Sequence, residues 1–187
     1  MKIYLASSWK NAETVRALAG SLEFEGFEVD AFCRATDQRY SFHWSEFVDT
    51  EEELQQYDAL SFLGDPRVQR AFNEDKRWLD WADTVVMVMP CGRSSHLEAG
   101  YGKGQGKRLY IYGDFQTGEF DVMYGFADGL FRTEQWAELV DVLARAKEYE
   151  ACVAETAAMI QAEHEDQREA FLAAQETEFQ ANRVDGG

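Results

Sequence analysis

The residues best suited to chemistry lie between Pro90 and Lys107, in the segment PCGRSSHLEAGYGKGQGK. Gly92 permits a tight turn, and the four residues after it supply hydrogen-bond donors: Arg93, Ser94, Ser95 and His96. A helix that begins here adds the free backbone N–H groups and the positive dipole end of its first turn. Together these groups predict a site for an anion or for the hydroxyls of a sugar. The glycines fit neither a GxGxxG nor a P-loop pattern, so a dinucleotide or triphosphate cradle is not predicted.

Glu98 is the acid of this segment, and it has two interpretations. Ser95-His96-Leu97-Glu98 fits the S-x-x-E pattern of a capping box, in which the glutamate folds back onto the start of the helix. Alternatively, Glu98 lies in the first turn with its carboxylate in a cleft, where the helix N-terminus favours the ionised form that a nucleophile needs. The two interpretations exclude each other, because a capping box turns the side chain back onto the backbone.

A second set of acids lies upstream, on and after a predicted helix: Asp75, Asp80 and Asp83. Asp75 and Asp83 are eight residues apart, just over two turns, so they share one side of the helix if it continues. Acids at such positions also serve as a solvated helix face, and Asp83 directly before a strand is suited to a cap. The set is therefore a candidate either for acid–base chemistry or for surface charge.

Three aromatic residues and one histidine occur together in the stretch Tyr40-Ser41-Phe42-His43-Trp44. A nucleobase can stack on Trp44 or Phe42, since every base offers a π-face. The alternative is an aromatic cluster that only covers the core. His43 and His96 have no third ligand at metal spacing, so a metal site is not predicted.

The elements that position these residues alternate between strand and helix. Strands are predicted at 2–6, 27–32, 84–89, 108–112 and 126–131, and helices at 13–25, 66–82, up to 105, and 133–146. The segment TVVMVM at 84–89 is apolar on both faces, as in a central parallel strand. The alternation predicts an α/β fold with an open parallel sheet of about five strands and helices on both faces. Residues 1–147 form this domain, and residues 148–187, rich in Ala, Glu and Gln, form a long C-terminal helical extension.

Ligands of open α/β sheets bind at the carboxyl ends of the strands. That rule selects residues 6–11, 90–98 and 112–124 as the parts of the chain that line a site. Ser7 in the first segment and Met123 in the last therefore join the candidate substrate-binding residues.

The composition excludes several partner classes. The 187 residues carry 18 basic and 35 acidic side chains, a formal charge of −17, so the surface repels the phosphate backbone of duplex nucleic acid. No run of 18 apolar residues exists, which predicts no membrane span. Too few apolar residues follow Lys2 for a secretory leader, and three widely spaced cysteines fit a reducing cytoplasm: Cys33, Cys91 and Cys152.

Three stretches of the chain resemble the nucleoside 2-deoxyribosyltransferase family, whose relatives include the nucleoside 5′-monophosphate N-glycosidases. They are KIYLASSW at the start, DKRWLDWADTVVMVMP at 75–90 and HLEAGYGKGQGK at 96–107, and the resemblance extends over about residues 1–130. It implies a flavodoxin-like or Rossmann-like fold, a nucleoside or nucleoside monophosphate as substrate, no cofactor, and a homodimer or larger homo-oligomer. The glycosyl group would pass from a glutamate to water or to a second base.

The resemblance assigns roles to four residues. Glu98 matches the nucleophilic glutamate, and Tyr4 matches the tyrosine that orients it. Asp75 matches an aspartate that contacts the nucleobase and helps to protonate it. Asp83 matches a more structural aspartate and is also a candidate substrate-binding residue. Two carboxylates suit this chemistry, because breaking an N-glycosidic bond needs one group beneath the sugar C1′ and a proton donor near the base.

Two positions depart from the family pattern. Transferases place an aspartate where Gly92 stands, whereas serines such as Ser94 and Ser95 resemble the monophosphate hydrolases, in which they face the 5′-phosphate. Asp121 stands where transferases offer an asparagine to a neighbouring subunit, and a carboxylate there repels phosphate. Arg93 and the helix N-terminus favour a phosphate, so the need for one stays open.

Two other functions stay open at this point. A TIR-like NAD glycohydrolase also uses a glutamate on a flavodoxin-like sheet, and it would release nicotinamide from NAD. A non-catalytic nucleotide-binding module would bind its ligand without turnover, and the missing aspartate at Gly92 fits this reading.

Overall fold

The computed structural model describes residues 1–34, 39–40, 42–43, 45, 48–56, 58–115 and 121–184. Within these ranges, the side chains at 51, 54, 59 and 176–184 are left undescribed.

Five parallel strands form one sheet in the order β2-β1-β3-β4-β5. Their bounds are β1 Lys2–Ala6, β2 Glu28–Ala31, β3 Thr84–Met89, β4 Arg108–Gly113 and β5 Gly129–Phe131. Strand β3 lies between β1 and β4 and is buried along its whole length, as its apolar sequence requires. The predicted open parallel sheet is confirmed, and every predicted strand is present.

Six α-helices accompany the sheet in the described part of the chain. They are α1 Ala12–Phe24, α2 Glu51–Leu54, α3 Ala59–Gly64, α4 Pro66–Trp81, α5 Arg93–Gly104 and α6 Trp136–Val184. Helix α1 ends before Gly26, whose φ of 81° is a conformation that glycine adopts easily. Helix α4 begins as its sequence predicts, with Pro66 as its first residue and the Asp65 carboxylate accepting a hydrogen bond from the Arg67 N–H at 2.8 Å.

Two helices differ from the prediction. Helix α5 begins at Arg93 with Gly92 as its N-cap and no side-chain cap, so the predicted capping box of Ser95 and Glu98 is wrong. Helix α6 runs without a break through the point at residue 147 where a new element was expected. The reason for the second difference is local, since neither Gly nor Pro interrupts the good helix formers on either side of that point.

The chain divides into two compact units, Met1–Val140 and Asp141–Gly187. The first contains the whole sheet and helices α1 to α5. The second is helical, and its described side chains from 151 to 175 are exposed. None of the helices in the described ranges has a stretch long and apolar enough to cross a membrane.

Helix α5 packs unusually closely on the central strand. A Cβ added at Gly102 would lie 2.6 Å from Cγ2 of Val85, a fully buried residue of β3. The absence of a side chain at Gly102 therefore lets the helix approach the sheet and fixes where its earlier residues, including Glu98, are held.

Candidate active site

A pocket of about 310 Å³ lies at the carboxyl ends of the first three strands of the chain. The loop after β1 contributes Ser7 to Lys10, and the start of α5 contributes Gly92, Ser94, Ser95 and Glu98. Helix α4 supplies Asp75 from a third direction. Its position follows the general rule for ligands of open α/β sheets, and its volume is that of a small-molecule site.

Six of the predicted site residues line this pocket together: Ser7, Asp75, Gly92, Ser94, Ser95 and Glu98. Tyr4 lies beneath it, fully buried in β1. Trp44 lies outside the described residues. Phe42, the alternative stacking residue, does line the pocket, as do Trp9, Phe32 and Tyr40.

Three predicted substrate-binding residues lie in a different cavity. Arg93, Asp121 and Met123 line a space of about 750 Å³ bordered by the other side of α5. The Asp121 carboxylate accepts a hydrogen bond from the Met123 N–H at 2.8 Å and caps the 3-10 helix Val122–Phe126. Within one chain, this structure therefore does not bring these three residues into the pocket of Glu98.

Asp83 lies outside both cavities, next to the start of β1. Its carboxylate accepts a hydrogen bond from the backbone N–H of Lys2 at 2.8 Å, and its own N–H donates to the Lys2 carbonyl at 2.9 Å. These bonds join the start of β3 to the start of β1, at the end of the strands away from the pocket. Asp83 therefore joins the two strands, and this structure does not bring it into the pocket as the substrate-binding residue that the sequence also made it.

Glu98 is the sixth residue of α5, in its second turn and not in the first turn that the sequence suggested. Its side chain is partly buried and lines the pocket. Burial, followed by the charge of Asp75, raises the pKa of Glu98 to about 8, although Tyr4 and Arg39 act in the opposite direction. The expected preference for the ionised form is therefore overcome in the ligand-free pocket, because desolvation outweighs the effect of the helix N-terminus.

Tyr4 is the residue below Glu98. Burial, and next the charge of Glu98, raise the pKa of the Tyr4 hydroxyl well above its ordinary value, so this group stays protonated. Its oxygen is buried and has no hydrogen bond of standard geometry among the described residues. The hydroxyl nevertheless acts on Glu98 by lowering the pKa of that carboxyl. A neutral O–H donor below the carboxylate is suited to orienting it.

Asp75 is held by an arginine that the sequence analysis did not identify. Nη2 of Arg39 lies 2.7 Å from Oδ1 of Asp75, and Nη1 lies 3.3 Å from Oδ2 of Asp30 in β2. Arg39 and Asp30 are buried, whereas 40% of the Asp75 side chain is exposed. Burial raises the pKa of Asp75 in spite of this arginine, and it raises the pKa of Asp30 to about 7.

The start of α5 presents open donors to the pocket. No side chain caps its first turn, and the Ser95 hydroxyl is buried without a hydrogen-bond partner in the described part of the chain. Lys10 brings the positive charge on this side, in place of the predicted Arg93. The Ser7 hydroxyl donates a hydrogen bond to the Val88 carbonyl at 2.8 Å, which connects the loop after β1 to β3. An anion or a sugar hydroxyl fits such donors.

Sequence reasoning missed Arg39, Lys10 and Trp9. Lys10 and Trp9 lie in the segment after β1 that the strand-end rule had selected, so that rule was the signal that could have found them. Arg39 gave no signal, because its partner Asp75 is 36 residues away along the chain. Among the described residues, no group of three His, Cys, Asp or Glu side chains is arranged to hold a metal ion.

Comparisons with known proteins give likenesses of fold only. No protein-family model and no curated protein matches the chain. Among solved structures it is similar to a 2-deoxyribosyltransferase of Bacillus psychrosaccharolyticus, with 19% identity and a TM-score of 0.49 over 75% of this chain and 90% of the other. It is also similar to a CMP N-glycosidase of Clostridium botulinum, with 13% identity and a TM-score of 0.45 over 77% of this chain and 99% of the other.

Proposed function

We propose that this protein cleaves the N-glycosidic bond of a nucleoside or a nucleoside 5′-monophosphate, with Glu98 as the nucleophile. Two carboxylates in one pocket support this function, since Glu98 and Asp75 lie close enough for the charge of one to raise the pKa of the other. Glycosidic cleavage uses such a pair, one group for the sugar and one for the leaving group.

In the first step, a carboxylate oxygen of Glu98 forms a bond to C1′ of the sugar. The C1′–N bond breaks, its electron pair stays on the base, and Asp75 transfers a proton to that base. In the second step, water or a second base attacks C1′, Asp75 takes a proton from it, and the Glu98 ester bond breaks. Atoms and charge balance over the cycle, because the proton that Asp75 gives in the first step returns in the second.

The pocket already holds the proton that this cycle needs. With a pKa of about 8, Glu98 is roughly one-tenth ionised at pH 7 in the ligand-free site. The reactive form has the proton on Asp75 and the charge on Glu98. From a neutral Glu98 beside an ionised Asp75, a shift of one proton within the pair gives this form.

The rest of the pocket is suited to the other parts of the substrate. The rings of Trp9 and Phe32 meet edge to face with their centroids 5.2 Å apart, and they offer a wall for a nucleobase. Lys10, Ser94 and Ser95 lie where a 5′-hydroxyl or a 5′-phosphate can accept their hydrogen bonds. These donors decide whether the phosphate is required.

Base release, measured by chromatography, tests the proposal. The panel contains ribonucleosides, 2′-deoxyribonucleosides and the 5′-monophosphates of both, with and without a second free base. Wild type is compared with Glu98→Gln and with Glu25→Gln, an exposed glutamate outside the pocket. We expect Glu98→Gln to fall to about one-thousandth of wild type or less, as expected for a lost nucleophile, and Glu25→Gln to be unchanged.

The panel also separates the other outcomes. A new nucleoside formed only with added base identifies a transferase, and free sugar identifies a hydrolase. Base release that is equal in wild type and Glu98→Gln overturns the assignment of the nucleophile. NAD is assayed beside the panel: if it alone is cleaved, with nicotinamide as product, the substrate class is wrong. If nothing is cleaved, glycosidic cleavage is overturned, and ligand binding without turnover then supports a nucleotide-binding module.

A further inference from the structure

We infer that Arg39 and Asp30 are a positioning pair, which holds the Asp75 carboxylate at the pocket and controls the charge shared by Asp75 and Glu98. This inference rests on the proposed function, and it adds two residues that do not line the pocket. Neither touches the substrate, so both act through Asp75.

The geometry points to a chain of three groups. Asp30 in β2 contacts Nη1 of Arg39 at 3.3 Å, and Nη2 of the same guanidinium contacts Asp75 in α4 at 2.7 Å. Only 4% of Arg39 and 5% of Asp30 are exposed, whereas Asp75 opens to the pocket. Nη2 of Arg39 donates a hydrogen bond to Asp75, whereas Nη1 lies at ion-pair distance from Asp30 and makes no hydrogen bond of standard geometry with the described residues. The buried charge between the two carboxylates therefore gives Asp75 a fixed partner.

The charges around Arg39 are unbalanced. One buried guanidinium faces three carboxylates, those of Asp30, Asp75 and Glu98. Burying two uncompensated negative charges is costly, so the cluster keeps a proton that isolated carboxylates would lose. The described charged and titratable groups that act on this cluster, from β1, β2, α4 and α5, are Tyr4, Asp30, Arg39, Glu74, Asp75, Arg77 and Glu98.

A purely structural tie between β2 and α4 is the competing explanation. Such a tie predicts that changes at Asp30 and Arg39 lower stability, without a particular effect on Glu98. A positioning pair predicts effects of opposite sign on the titration of Glu98. Removing the positive charge of Arg39 raises the pKa of Glu98, and removing the negative charge of Asp30 lowers it.

The first measurement needs no substrate. The side-chain carboxyl carbons of glutamate are labelled with carbon-13, the Glu98 signal is assigned by its loss in Glu98→Gln, and its titration is followed by NMR. We expect the midpoint to rise in Arg39→Gln, to fall in Asp30→Asn and to return toward wild type in Arg39→Lys. Asp30→Asn is nearly isosteric and Arg39→Lys keeps the charge, so the test stands even if Arg39→Gln does not fold.

The second measurement is the pH dependence of kcat/KM for base release. In Arg39→Gln, kcat/KM should fall by up to about 100-fold, as expected for a misplaced catalytic group. The alkaline limb of its pH profile should move to higher pH. Asp30→Asn should move that limb downward. Arg39→Lys should restore the limb but only part of the rate, because lysine lacks the two-pronged fork.

The two measurements separate the possible failures. If the Glu98 titration moves in opposite directions in the two variants but the protein releases no base, the proposed function is overturned and the charge coupling stands. Base release with a Glu98 titration that does not move, or that moves the same way in Asp30→Asn and Arg39→Gln, overturns the positioning pair.

Discussion

Replacing Asp75 with asparagine separates the two effects of this residue on the pocket. In the proposed reaction, the change removes the proton donor for the leaving base. It also removes the negative charge that, after burial, contributes most to the raised pKa of Glu98. The first effect slows the reaction, whereas the second increases the ionised fraction of the nucleophile, so their sizes decide the outcome.

The loss of the proton donor is the larger of these two effects on the rate. General acid catalysis contributes about 10²-fold to 10⁴-fold, or roughly 3–5 kcal/mol of the barrier. Glu98 is roughly one-tenth ionised at pH 7 in wild type, so complete ionisation raises its active fraction by no more than about tenfold. For a natural base, we therefore expect Asp75→Asn to be about 10-fold to 10⁴-fold slower than wild type.

The assay compares leaving groups of different basicity on one sugar. An electron-poor base leaves as an anion and needs little help from an acid, so for it Asp75→Asn should match wild type or exceed it by up to about tenfold. Asp80→Asn is the matched control, because it is the same change on the same helix outside the pocket. An equal loss for every leaving group refutes the role of Asp75 as the acid, and so does full activity on a natural base.

Further predictions concern stability. Folding raises the pKa of Glu98 from 4.5 to about 8, so the stability that this group contributes is present at pH 4.5 and is lost as the pH rises to 8. Glu98→Gln should therefore equal wild type in thermal unfolding near pH 4.5 and exceed it at pH 8, by about 1 kcal/mol or more; a constant difference contradicts this. Gly102→Ala should be about 1–3 kcal/mol less stable than the control Gly100→Ala, since the added methyl meets Val85 only at the first position. Lys107→Met should cost about 1–3 kcal/mol in chemical denaturation, because its ammonium donates to three carbonyls at the end of α4. Equal stabilities in either comparison would show that these contacts contribute little.

The sheet could be predicted because its signals are local. The run TVVMVM is short, rich in β-branched residues and followed by a proline, which together favour a strand over a buried helix, and it forms the buried strand β3. Asp65 and Pro66 mark the start of α4 by cap chemistry that involves neighbours in sequence. The rule that ligands bind at strand ends then selected two segments that do line the pocket.

The start of α5 shows where a local signal failed. The S-x-x-E motif placed the N-cap at Ser95, yet the helix begins at Arg93 with Gly92 as its cap. Ser95 is buried, and Glu98 faces the pocket, so neither side chain is available to cap. Packing on the sheet overrode a pattern that describes isolated helix ends.

Arg39 could not be predicted, because its role depends on contacts across the fold. It lies in a stretch without periodicity, and its partners, Asp30 and Asp75, belong to a strand and a helix far apart in sequence. Arg39 also lowers the pKa of Glu98, so this contribution to the electrostatics of the site could not be predicted from the sequence either. A helix N-terminus predicted an ionised carboxylate, and only the burial shown by the fold reverses that expectation.

The raised pKa of Glu98 is compatible with a nucleophile because the charge of the site changes during the reaction. In the ligand-free pocket, Arg39 offsets only part of the negative charge of Asp30, Asp75 and Glu98, and a proton on Glu98 relieves their repulsion. In the proposed reaction, positive charge grows on the sugar next to Glu98 as the glycosidic bond breaks, while the departing base draws the proton away. The desolvation that disfavours the ionised carboxylate at rest then strengthens its attraction to that positive charge. In this proposal, the same burial lowers the stability of the free protein and stabilises the transition state. Burial of Glu98 would therefore explain both why wild type is less stable than Glu98→Gln and why that more stable variant is inactive.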